Sequence, residues 1–162
     1  SPITRAMPMF KFEFQQVLDF RKNVEERRLV EHSDQQKEVK KERLALAQLR
    51  KKKTQLTAQF LRIQEEGMQA SDAAHYVSYI QHVNEKERLQ QEAVVKAEAV
   101  LEEKKAALLE AVKKRKAMER LREKRLAEHR SAQAAKERRN LDEFGIRSFQ
   151  RKTGNEETDH SL

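Results

Sequence analysis

From Ala73 onward the chain places apolar residues at alternating steps of three and four: Tyr76, Ile80, Val83, Val94, Ala97, Leu101, Leu108, Ala111 and Met118. Polar Glu87, Gln90, Lys104 and Arg115 occupy the remaining places of the same seam. A spacing that averages about 3.5 residues favours a left-handed coiled coil, because each such residue returns to face a partner helix. The same step runs through Leu46, Leu49, Lys53, Leu56, Phe60 and Ile63. Upstream, residues 32–43 are nearly all polar, which predicts a weaker seam and looser packing there.

Helix breakers mark the boundaries. Neither Pro nor Gly occurs in 14–66 or in 72–143, whereas Pro2 and Pro8 precede the first pattern and Gly67 separates the two. Pro lacks the amide a helix needs and Gly is entropically costly within one, so the breaks predict helix one over 10–66, a turn over 67–71 and helix two over 72–144. Ser71 and Asp72 offer side-chain oxygens to cap the second helix. Residues 145–162, with Gly145, Gly154 and many polar groups, read as a flexible tail. Residues 1–9 read as a tag remnant and native start, with Met7 or Met9 as first residue.

A short link between two long amphipathic helices predicts an all-α fold, an antiparallel two-helix coiled-coil hairpin, rod-like. The competing arrangement, one continuous helix dimerising in parallel, is disfavoured by Gly67 and the Ser-Asp pair. With the turn centred near Gln69, Phe14 falls opposite about Lys124, leaving the end of helix two unpaired.

Composition supports helices over a globular core. Of 162 residues, 38% are charged and 37% hydrophobic, with no Trp, against about 25% charged in an average domain. Disorder would suit such charge, but the seam argues against it. With no Cys there is no disulfide or thiolate chemistry, and no apolar run nears the roughly 20 residues of a membrane span, so the cytoplasm is the expected compartment.

Charge and aromatic groups are unevenly spread. Residues 113–139 hold twelve Lys and Arg against four Glu, a net +8 equal to that of the whole chain, so the remainder is neutral. Such a run is either a solvated helix face or a steering surface for an acidic partner or a polyanion. Nucleic acid is disfavoured, because no aromatics interleave with the basic residues. Of seven Phe, only Phe60 is central; Phe10, Phe12, Phe14 and Phe20 lie near the start, and Phe144 and Phe149 near the end. Apolar groups on an unpaired end suggest a surface for another protein.

Catalytic signatures are missing. His32, His75, His82, His129 and His160 lack metal-site spacing, the glycines are scattered singly, and a two-helix fold offers no dry pocket to shift carboxylate pKa values. A non-enzyme without metal or cofactor is expected.

The start, Phe10-Lys-Phe12 to Val17-Leu18 and Arg21 with Glu25 and Glu26, resembles the opening of FliJ proteins, coiled-coil components of the bacterial flagellar type III export apparatus. Tyr76-Val-Ser-Tyr79-Ile80-Gln81 is similar to the family's aromatic segment after its central turn. The basic second helix and the closing Leu141-Asp142-Glu143-Phe144 agree as well.

The resemblance covers about 10–152. It implies a fold similar to the central stalk of rotary ATPases, acting with the hexameric flagellar export ATPase, the cytoplasmic domain of the export gate and substrate-specific export chaperones, at the inner-membrane export apparatus. On that reading Phe10, Phe12, Phe14, Val17, Leu18, Arg120, Lys124, Arg125, Leu141 and Phe144 bind the ATPase. Tyr76, Tyr79, Ile80 and Val83 face the gate, although Ile80 and Val83 also fit the seam and Tyr79 does not. The related stalk protein of virulence secretion has the same shape; the N-terminal Phe motif favours the flagellar member. A polyanion-binding helical protein and a structural spacer are the alternatives from other classes.

Overall fold

In the computed structural model, which describes residues 9–159, the chain is an all-α helical hairpin of two long helices, α1 (Gln15–Glu66) and α2 (Ala70–Asp159). No strand occurs among the described residues. Most of the stretch read as a tag remnant, and residues 160–162, lie outside them. The chain divides into two units, one of Arg21–Lys114 and one of the residues up to Phe20 together with those from Arg115 on.

Within Arg21–Lys114 the helices run antiparallel. Lys53 meets Glu87, Arg43 meets Glu98 and Glu31 meets Lys104, so partners descend along α1 as they ascend along α2. The seam expected from spacing is the seam observed: every position from Ala73 to Ala111 in the three-four register is at least half-buried, as are Leu46, Leu49, Lys53, Leu56, Phe60 and Ile63. Val39, Leu46, Val83, Val94, Ala97 and Ala111 form the buried core. Packing of such side chains, with about 25 cal/mol for each Å² of apolar surface withdrawn from water, is what holds two otherwise polar helices together.

The polar stretch 32–43 is better packed than its composition predicts. Val39 is buried there, the Gln35 side-chain amide donates to the Ala97 carbonyl at 3.0 Å, and Gln90 donates to both the carbonyl and the carboxylate of Glu42. Ala97 is small enough to let the glutamine reach the backbone. A seam of amides and carboxylates holds because each group has its partner, satisfying the demand a half-buried polar group makes.

The turn is shorter than expected, and the cap differs. Gly67 takes φ 90°, a left-handed conformation that an L side chain adopts only with strain, and its amide donates to the Gln64 carbonyl at 3.3 Å. Helix α2 then begins at Ala70, because the Gln69 carbonyl accepts from both Asp72 and Ala73 at 3.1 Å. Gln69 is therefore the N-cap position. Ser71 and Asp72 lie in the first turn, where the Asp72 carboxylate favours the helix dipole.

Both outer helix ends also depart from expectation. Helix α1 starts at Gln15 rather than at residue 10: the Phe14 carbonyl accepts from Leu18 and the Phe12 carbonyl from Gln15. Phe10, Phe12 and Phe14 alternate with polar residues, a two-residue period that suits extended chain and not helix. At the other end α2 passes residue 144 and continues to Asp159, so most of the expected tail is helical. Gly145 and Gly154 each cost about 1 kcal/mol relative to Ala, too little to end a helix among Arg, Gln and Lys. Thr153 returns its hydroxyl to the Phe149 and Gln150 carbonyls.

Candidate functional site: an aromatic and basic end

The second unit holds the residues up to Phe20 and those from Arg115 on. The period-two aromatics sort themselves by side. Phe12 is buried and packs edge-to-face on Phe14 at 5.9 Å, while the Phe10 ring stands 5.5 Å from the His129 ring. Three residues beyond Phe10, Glu13 pairs with Arg125 at 3.3 Å, and Arg125 also reaches Glu128 at 3.5 Å. These contacts again run antiparallel and agree with the expected opposition of Phe14 and Lys124. Phe10, Lys11, Phe12, Glu13, Arg125 and His129 line a shallow, open groove of about 320 Å³ with Glu128.

Of the residues expected to bind an ATPase, the structure brings together Phe10, Phe12 and Arg125. Leu18 and Phe12 are core residues and present no surface. Phe14 and Val17 are exposed, with Phe20 following on the same side of α1, and Arg120 and Lys124 are exposed on α2. Leu141 and Phe144 stand apart: Leu141 lies twelve residues past His129, about 18 Å along the helix. Both are more than two-thirds exposed, as is Phe149, with Ile146 close behind.

Sequence reasoning missed three features here. Ile146 and Phe149 were left in the tail, although Phe149 falls eight residues after Leu141 and so shares its face. Met9 and Phe20 extend the apolar surface of α1's start. His129, noted in the sequence only for its lack of metal-site spacing, is the ring on which Phe10 packs, and no local pattern announces that contact.

The four residues expected to face the gate divide differently. Val83 is fully buried in the core, Tyr76 packs on Phe60 at 5.6 Å, and Ile80 is a half-buried seam residue. These three serve the hairpin, and Val83 in particular has no surface to offer. Tyr79 alone is exposed, as its off-seam position predicts. The Lys52 ammonium stands 5.4 Å from its ring centroid and lowers the phenol's pKa, by hydrogen bonding first and by its charge second.

Elsewhere in Arg21–Lys114 the ionic pattern is that of a solvated coiled coil. Hydrogen bonds from Lys53 and then Arg50 hold the Glu87 carboxyl below the usual range, and Arg28 does the same for Glu31. Among the described residues no group of three His, Asp or Glu could hold a metal ion, and no helix is long and apolar enough to cross a membrane.

Such an arrangement defines a class: a helical-hairpin protein with a polar, well-covered seam in one unit and uncovered apolar groups beside basic residues in the other. The family model described as flagellar FliJ protein matches residues 10–154, and the chain belongs to the FliJ family. It is accordingly a flagellar, export-associated protein. Comparison with curated proteins and with solved structures returns no match.

Proposed function

We propose that this protein is a non-catalytic stalk that couples to, and stimulates, the hexameric flagellar export ATPase. The observation that carries the reading is the exposure of Phe14, Val17, Leu141 and Phe144 in the same unit as the exposed bases Arg120 and Lys124. Large apolar side chains left in water are costly unless a partner covers them, and basic neighbours would steer that partner in if its surface is acidic. Tyr79, exposed beside Lys52, is the contact offered to the cytoplasmic domain of the export gate. Escort of substrate chaperones, and peripheral association with the inner-membrane apparatus, complete the role.

The test of the first contact is the hydrolysis rate of the cognate export ATPase titrated with the full chain and with a form truncated after Arg139. Stimulation by the full chain that disappears on truncation is expected. Equal stimulation by both forms would remove Leu141 and Phe144 from the interface, and none by either, with an assembled and active ATPase, would overturn the coupling role. For the second contact, Tyr79→Ala is expected to leave helicity and melting nearly unchanged while weakening gate binding. Unchanged affinity by calorimetry would strike Tyr79 from the site.

A further inference from the structure

Every residue of α2 from Ala135 to Glu156 is exposed, yet the segment is helical and carries Leu141, Phe144, Ile146 and Phe149. In proteins most helical stability comes from packing of a face rather than from propensity, and two internal glycines weaken this segment further. Its sequence contains a third seam. Arg138, Asp142, Gly145, Phe149, Lys152 and Glu156 follow one another at steps of four, three, four, three and four, which places all six on one face of the helix.

We propose that this face binds a second copy of itself, antiparallel, about a two-fold axis at the level of Arg147. In that arrangement Arg138 meets Glu156 of the second copy, Asp142 meets Lys152, and Gly145 meets Phe149, each layer occurring twice by symmetry. Both charged layers are complementary. The aromatic layer sets the largest side chain of the seam against the smallest. Leu141 and Ile146, immediately beside the seam on its two sides, are covered by the same contact, so self-pairing and the proposed ATPase contact compete for Leu141, whereas Phe144 lies off this face.

Charge selects the orientation. In-register parallel pairing would place Arg138, Asp142, Lys152 and Glu156 each against its own copy, four like-charge layers that oppose association. Gly145 supports the same geometry. It is helical with no positive φ, and among the described residues a Cβ added there would meet nothing within 4 Å, so none of them requires a glycine at that position. Space for a phenylalanine from another helix supplies a reason. The device is one the chain already uses, since the seam of Arg21–Lys114 contains the Lys53–Glu87 and Gln90–Glu42 pairs.

The experiment is sedimentation equilibrium of the full chain, with helicity followed by circular dichroism. The wild type is expected to show reversible dimerisation. Asp142→Lys sets lysine against Lys152 in two layers, and Lys152→Asp sets aspartate against Asp142; each is expected to weaken self-association by about tenfold or more. The double variant Asp142→Lys/Lys152→Asp should recover wild-type association. An equimolar mixture of the two single variants should also associate, because both layers are then complementary in the mixed dimer. A wild type that stays monomeric at its highest soluble concentration would overturn the proposal. So would self-association indifferent to the single reversals, or a mixture no better than its components, with helicity retained.

Discussion

The seam of Arg21–Lys114 and the last turns of α2 both set apolar groups among charged residues on a helix, and they behave oppositely. In the first, leucine, valine and alanine return every three or four residues and are covered by the facing helix, with glutamine, lysine and glutamate filling the gaps in bonded pairs. In the second, Phe149 lies on the repeating face with Leu141 and Ile146 at its two edges and Phe144 off it, and all four remain in water. The contrast teaches that helical periodicity states which face seeks a partner, and not whether the chain itself contains that partner. Where it does, apolar burial stabilises the fold; where it does not, the same surface is available for association.

Leu46→Ala is expected to destabilise the hairpin by about 3 kcal/mol, the cost of a cavity in a narrow two-helix seam. A thermal or urea melt reads the change, and a loss under about 1 kcal/mol would mean that the seam collapses around the gap. Phe144→Ala is the counterpart: its side chain is 73% exposed, and a surface substitution away from special features stays within about 0.5 kcal/mol. The melting point should hardly move while stimulation of the export ATPase falls. A large drop in melting temperature would show that Phe144 supports the fold.

The smallest effect concerns acid. Hydrogen bonds from Lys53 and Arg50 depress the Glu87 pKa below its unfolded value, so their contribution to stability is fully present above the ordinary carboxylate range and is lost as pH falls through the depressed value. Glu87→Gln is expected to melt somewhat lower than wild type at neutral pH, with the gap closing on acidification. A gap that stayed constant from neutral to acid pH would assign the effect to packing and not to charge.

Much of the hairpin was legible from residue order. The register from Ala73 to Met118 and from Leu46 to Ile63, the reversal at Gly67 and the off-seam exposure of Tyr79 all follow from a period of 3.5 and from the rarity of glycine, because those rules act over a few residues. The polar stretch 32–43 was misjudged for the opposite reason. Gln35, Val39 and Glu42 lie on the correct face, but their value depends on Ala97 and Gln90, which are distant in sequence and supply the bonds.

Residue order alone sets the helical class, the face of each helix that seeks a partner, the point of reversal and the uneven distribution of charge, since all of these are properties of neighbours along the chain. It took the packed fold to make Phe12 and Leu18 core while Phe14 and Val17 are surface, and to rest Phe10 on His129. The fold also showed that Val83 is committed to the seam and that α2 runs past Gly145 to Asp159. Those outcomes depend on which side chain stands opposite, and where the helix faces nothing of its own, on the small penalty of a glycine against the propensity of the residues around it.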